Sequence, residues 1–323
     1  MVRYVIRRVL WAMVLFLAVT VVTYIIFFII PADPARAVAG KNATPEMILR
    51  ARHYLGTDKP VYVQYGRFLW RLTYHHSLGR SFSNRESVNK LVGQAAPVTA
   101  SLVIGGAVVW LLIALPLGIL AALRPRSLLD RGSTIFVLIG VSAHPVWIGL
   151  ILSYFVGYKW GLTPISGYCD FFNPSVGADC GGPAQWAYHM ILPWMTFALL
   201  FTALYVRMVR ASVLEVMNED YVRTARAKGA GGRRVMIAHV LRNALLPIVT
   251  ILGMDIALAL GGAIFTESVF TLPGLGRTAV QALNTLDLPT VEGVVVFATL
   301  MIITFNLVID LLYAWVDPRI RLA

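Results

Sequence analysis

An all-α polytopic membrane protein with about six transmembrane helices is what this sequence predicts, and three observations carry it. Of its 323 residues, 58% are hydrophobic and only 14% charged, with a mean hydropathy of +0.72, whereas a soluble domain carries roughly a quarter charged residues. Apolar runs of the length that spans a bilayer recur along the whole chain. These runs are too continuously apolar to be period-2 barrel strands, and in hydrocarbon only a helix then satisfies their backbone groups.

The first run, Val9–Ile30, follows Arg3, Arg7 and Arg8 and contains no charge. It exceeds the roughly 7–15-residue apolar core of a cleaved signal, so it is expected as a retained first span despite the Ala37-Val38-Ala39 triplet behind it. Residues 31–96 form a long extracytoplasmic segment. Within it, Thr44 is a candidate N-cap, Pro45 sits at the first helical position and Gly56 is a stop. Val61, Tyr65, Phe68, Leu69 and Leu72 recur at helical spacing. Two short helices are expected there, either as a docking surface for an external partner or as a cap packed on the bundle. The remaining spans are expected near Pro97–Leu123, Gly132–Tyr158, Ala184–Val206, Ala244–Phe265 and Val291–Val316. The chain reads as one transmembrane domain over residues 1–323.

Charge sets the orientation. The formal net charge of +12 falls mainly in short loops, which argues for topology rather than nucleic acid. With a cytoplasmic N-terminus, Arg124, Arg126 and Arg131, the basic island after the fourth span, and Arg319 and Arg321 all lie on the cytoplasmic side, leaving Lys159 and Arg277 in the later outer loops. That is the positive-inside bias. The basic residues of 31–96 go against it, but loops longer than about 60 residues translocate largely regardless of charge.

No G-x-x-x-x-G-K-[ST] stretch is present, so ATP chemistry is not expected in this chain. Pro273–Arg277 carries glycines, but no strand leads into it. The His75-His76 pair cannot share a helix face. His144 and His189 lie in or beside spans and are expected to make interhelical hydrogen bonds. No metal or cofactor is expected. Cys169 and Cys180 share one outer loop and either pair as a disulfide or stay as two thiols. Among the acids, Asp255 stands near mid-span and Glu267, Glu292 and Asp310 near span ends. Intramembrane acids face an interior or an aqueous path, so Asp255, Glu267 and Asp310 are candidate path or interhelix groups. A proton-coupled carrier would carry such acids too, yet the chain lacks the paired, interrupted halves of those folds.

The segment 211–243 is the chief candidate for function. Asp220–Gly229 reads as a short helix in which Tyr221, Val222 and Ala225 share one face. Glu219 precedes Arg223 by four, a favourable acid-to-base order. Gly229–Gly232 breaks the helix, a second begins near Arg233, and Pro247 bends or begins the next span. A topology signal that touches anionic membrane lipid needs only a few charges. A protruding helix–break–helix rich in Ala and Gly suggests a close-fitting partner instead.

The stretch "EDYVRTARAKG…LRNALLP" resembles the coupling-loop signature of the dipeptide/oligopeptide/nickel family of bacterial ABC importer permeases. "YVIRRVL", "IIPADP", "LGTDKPVYVQY", "LGRSF", "LPLGILAALRPRSLLDR", "ESVFTLPGLGR" and "DPRIR" match it in order along essentially the whole chain, and the long segment after the first span fits the B-type member of the permease pair. The generic importer loop begins Glu-Ala-Ala six residues before its glycine. Here Arg223-Thr224-Ala225 stands there, so that Glu's role has no counterpart. The resemblance implies a type I ABC importer permease fold in a bacterial cytoplasmic (inner) membrane, with both termini cytoplasmic. It implies a homologous second permease subunit, two cytoplasmic ATP-binding subunits and an extracytoplasmic substrate-binding protein, with Glu219, Asp220, Tyr221, Arg223, Thr224, Ala225, Arg226, Lys228 and Gly229 coupling to the ATPase. Peptides are the expected substrate, and nickel chelates or glutathione are within the family's range.

Overall fold

A computed structural model describes residues 2–26, 35, 43–55, 60–172 and 180–316. The described residues hold five helices long and apolar enough to cross a membrane, six if one bent pair counts as a single span. The chain divides into two compact units, Met1–Thr99 with Pro273–Ala323, and Ala100–Leu272.

In the first unit, α1 (Val2–Tyr24) packs against α11 (Leu288–Val316). Leu10, Trp11, Val14 and Leu15 of α1 stay exposed, an apolar face fit for lipid. The outer segment begins with α2 (Pro45–Leu55), where the Thr44 hydroxyl accepts from Met47 N–H at 3.4 Å. The expected Gly56 stop, like the Ala37–Ala39 triplet, lies outside the described residues. Helix α3 (Val61–Tyr74) turns Tyr65 and Phe68 onto Tyr24, with ring centroids 5.5 and 6.4 Å away, and Tyr24 donates to Gln64 at 3.0 Å. Its other side leaves Trp70 and Tyr74 exposed and stacked at 4.8 Å. This helix is therefore a cap on α1 along one face and an open aromatic surface along the other.

The second span begins earlier than Pro97. Helix α4 runs Val88–Leu123, starting inside the 31–96 segment. Val88, Val92 and Ala95 repeat at helical spacing and are buried with Leu275 and Val294, so packing carries the helix back past Pro97. Ahead of it, the Leu78–Phe82 stretch is tied to Asp287, whose carboxylate accepts from Ser81 Oγ (2.5 Å), Phe82 N–H (2.8 Å) and Thr290 Oγ1 (2.8 Å). An amphipathic helix, α10 (Leu275–Asn284), precedes this link and was not expected from the sequence.

In the second unit the span expected near Gly132–Tyr158 is a broken one. Helix α5 (Leu128–Ser142) meets α6 (Pro145–Leu152) at a 107° bend, and α6 continues into a π-helical turn, Ser153–Lys159. Proline disfavours helical backbone in the residue before it, and both Ala143 and His144 are extended. Among the described residues His144 makes no interhelical hydrogen bond. Its Nδ1 caps α6 by accepting from Val146 N–H at 3.3 Å, and its ring meets Phe265 edge-on. Helix α7 (Pro183–Met217) runs well past the expected end at Val206. A Cβ at Gly140 of α5 would lie 2.7 Å from the Ala203 Cβ of α7, so glycine there permits the close approach of the two helices. Helix α9 (Leu246–Phe270), which also packs on α7, completes the unit, with Pro247 in its first turn where a missing N–H costs nothing.

Candidate functional site

The basic segment is a helix hung between two anchored arms. Helix α7 carries the chain to Met217, and Asn218 and Glu219 turn it into α8 (Asp220–Ala227). The end of α8 is a Schellman closure: Gly229 N–H bonds Arg226 C=O at 2.9 Å and Ala230 N–H bonds Ala225 C=O at 3.2 Å. Gly229 has φ +82°, a conformation that costs glycine no Cβ clash. The return arm is a short turn, Gly232–Arg234, then a π-helical segment, Val235–Leu241, that leads through Arg242–Ala244 into α9. Gly231–Arg234, Ile237 and Ala238 line an open groove of about 620 Å³ at the start of this arm.

The faces of α8 are unequal. Val222 is fully buried, Ala225 is half-buried on the same side, and α8 packs against the π-helical segment. Tyr221 accepts from Asn243 Nδ2 at 2.8 Å, tying the helix to the base of its own return arm. Val222 and Ala225 thus turn to the chain itself, whereas Tyr221 stays 41% exposed despite its bond to Asn243. Glu219, Asp220, Arg223, Thr224, Arg226, Ala227 and Lys228 are exposed. Arg223 reaches Asp220 at 3.7 Å rather than Glu219, in a pair so exposed that it contributes little.

Above α8 both arms are fastened. Arg210 of α7 grips Asp130 at the start of α5 through two bonds, Nε to Oδ1 at 2.5 Å and Nη2 to Oδ2 at 3.0 Å. Asp130 also accepts from Arg126 N–H at 2.8 Å, and Ser127 Oγ accepts from Asp130 N–H at 3.3 Å. The Asp130 side chain is 8% exposed. Ser212 Oγ donates to Ala244 C=O at 2.8 Å, joining the outgoing arm to the return arm. Neither Asp130 nor Arg210 was singled out from sequence. The available signals were the Ser127-x-x-Asp130 capping pattern and the two cations Arg207 and Arg210 at the end of an apolar run.

The other candidate residues lie apart from α8. Cys169 and Cys180 form a disulfide with Cα atoms 5.5 Å apart. His189 lies 3.3 Å from Cys169 Sγ and 2.9 Å from Gln185 C=O on its own helix, and among the described residues it too makes no interhelical hydrogen bond. Asp255 of α9 is half-buried and accepts from Tyr205 Oη of α7 at 2.8 Å. Glu267 is fully buried in the last turn of α9, and Glu292 is nearly so on α11, with its Oε1 unpaired among the described residues. The Asp310 side chain lies outside the described residues.

Comparison with known proteins accounts for nearly all of the chain. Residues 114–322 match the family described as "Binding-protein-dependent transport system inner membrane component", and residues 1–103 match the N-terminal part of that same membrane component. The dipeptide transport system permease protein DppB of Escherichia coli (strain K12) is 37% identical over 337 residues, covering 99% of both chains. A relative from Brucella abortus (strain 2308), named for peptide transport, is 36% identical over 317 residues, covering 98% of both. A crystal structure of an amino acid ABC transporter with histidines superposes with a TM-score of 0.51 over 69% of this chain and 93% of its own, at 15% identity, which supports the fold alone. The apolar helices, the broken third span and the helix held between two arms are therefore those of a membrane-spanning permease subunit: the chain belongs to the family of inner membrane components of binding-protein-dependent transport systems.

Proposed function

We propose that this chain is one of two homologous permeases lining the translocation path of a peptide importer, and that α8 docks on a cytoplasmic ATP-binding subunit. The observation that carries the docking is α8 itself. It is a capped helix whose Val222 and Ala225 turn to its own return arm and whose outer face offers Arg223, Thr224, Arg226, Ala227 and Lys228, their side chains engaged among the described residues only by the exposed Arg223–Asp220 pair and by Thr224 Oγ1 donating to Asp220 C=O at 2.9 Å. The groove at Gly231–Ala238 beside the turn gives a partner relief to fit. Close fit, more than charge, is what such small residues favour. Hydrolysis belongs to the ATP-binding subunits, and an extracytoplasmic binding protein delivers substrate. ATP-driven closure of those subunits moves α8 and opens the path outward. The basic short loops support a cytoplasmic placement of α8 and of both termini. Peptide, and a dipeptide first, is supported by near-full-length identity to the dipeptide permease. A proton-coupled carrier has no comparable support, since the family depends on a binding protein.

The test reconstitutes the chain in liposomes with its second permease, ATP-binding subunits and binding protein, and offers a casein digest outside. Luminal peptides identified by mass spectrometry, dependent on ATP and on the binding protein, are the expected result. Uptake that persists without the ATP-binding subunits would overturn the importer reading. Uptake of metal chelates or glutathione in place of peptides would overturn the substrate.

A further inference from the structure

Helix α8 can move the bundle only through the arms that hold it, and the two arms differ. The return arm begins with Gly231 and Gly232 and continues as a π-helical segment, Val235–Leu241. π-Helical turns are rare and are found frequently at functional sites, and the two glycines ahead of this one leave the backbone of the return arm conformationally permissive. The outgoing arm is α-helix from Pro183 to Met217, and its interior proline, Pro193, lies far from the end that carries α8. About two turns before its end, Arg210 makes the bidentate contact with Asp130. Asp130 sits in the first turn of α5 and is itself fixed by Arg126 N–H and the Ser127 cap, with Arg126 in the left-handed region at φ +64°. Helix α5 in turn ends at the 107° bend before α6. A rigid fork therefore joins the stiff arm to the base of the broken span, and no comparable ion pair fixes the return arm among the described residues.

We propose that Arg210 and Asp130 are a positioning pair, which passes displacement of α8 through α7 into α5 while the π-helical segment absorbs the mismatch on the return arm. The proposal rests on the docking of α8 on an ATP-binding subunit. An Arg–carboxylate fork suits the task because two parallel bonds fix direction as well as distance. A staple that merely held the fold would serve as well with one bond.

The complete complex in liposomes tests it, with peptide uptake and ATP turnover read in the same vesicles. Asp130→Asn keeps an acceptor for Arg126 N–H and so preserves the loop, but it removes the charge. Arg210→Lys keeps the charge and loses the fork. Both variants should assemble and hydrolyse ATP, with uptake per ATP reduced about ten-fold in Asp130→Asn and about three-fold in Arg210→Lys. Arg210→Cys modified with an aminoethyl methanethiosulfonate should regain coupling, and the same variant modified with an uncharged methanethiosulfonate should not. If uptake and turnover fall together at a constant ratio, or if the neutral reagent rescues as well as the cationic one, the pair is only a staple and the proposal is overturned. Gly229→Val is measured alongside. If it keeps wild-type coupling, the docking of α8 fails, whatever the pair does. If it uncouples while Asp130→Asn does not, docking stands and the positioning pair falls.

Discussion

Two irregular connections in the same compact unit, the loop from Lys159 to Pro183 and the segment from Met217 to Leu246, are held in opposite ways. The first is closed on itself. A disulfide joins Cys169 to Cys180, Gly167 N–H bonds Phe270 C=O at 3.0 Å, Gly182 N–H bonds Asp170 C=O at 3.0 Å, and Phe171 meets Trp186 edge-on at 5.0 Å. The second has no cross-link. Its helix is shaped locally by the Schellman closure and anchored at its roots by Tyr221–Asn243 and Ser212–Ala244. A segment tied at many points resists deformation at those points. A helix fastened along one side to its return arm, with its other side open, is free to be displaced together with that arm. In the proposed orientation the first loop faces the substrate side and the second the ATPase side, which suits a fixed rim and a moving handle.

The comparison breaks most sharply at Gly229. A valine there must hold φ +82°, which a β-branched residue rarely adopts. Gly229→Val should unwind the closure of α8 and cut uptake per ATP about ten-fold or more, with insertion into the membrane unchanged. Wild-type coupling in this variant would show that the helix end carries no force.

The next largest effect should come from the outer loop. The disulfide closes a loop with a sequence separation of 11, worth roughly 3 kcal/mol by chain entropy, so Cys169→Ala with Cys180→Ala should loosen the segment and make it protease-sensitive. Uptake should fall while peptide carried per ATP stays constant, because the handle is untouched. Thiol labelling of unreduced, denatured wild type should find neither cysteine free. Labelling of both would remove the basis for calling the loop fixed.

Helix α8 itself sharpens the contrast between its own faces. Ala227→Trp, on the exposed side, should weaken co-purification of the ATP-binding subunit directly. Ala225→Trp, on the half-buried side, should act instead by pushing α8 off the Val235–Leu241 segment, and so should also raise protease cleavage within 228–241. Equal protease patterns in the two variants would mean that the faces are not distinct.

The smallest effects mark the limits of the handle. Arg226→Gln removes one exposed charge, worth about 1 kcal/mol or less, and should leave uptake within about two-fold of wild type. Asp255→Asn keeps an acceptor for Tyr205 Oη and should leave insertion intact. A Cys at 255 that reacts only with lipid-phase probes would show that the α7–α9 contact is wrongly placed.

The sequence alone determined the class of the molecule, because apolar runs of bilayer length admit only helices, and that constraint is local. It also determined the α8 break, since Gly229–Gly232 is punctuation read residue by residue, and the start of α9 at Pro247. Tertiary structure decided what depends on contacts distant in sequence. The second span reaches back to Val88 because Leu275 and Val294 wait there. The third span bends because the extended backbone before Pro145 is accommodated by its neighbours. Tyr221, Val222 and Ala225 could be assigned to one face of α8 from spacing, but only packing showed that Val222 and Ala225 turn to the return arm and that the opposite face is left exposed. Asp130 and Arg210 are 80 positions apart in the chain, and Ser81 and Asp287 are 206 apart. No helical period links such residues. An ion pair or a carboxylate clasp exists only once the fold has brought its ends together, so the grip on the handle was invisible until then.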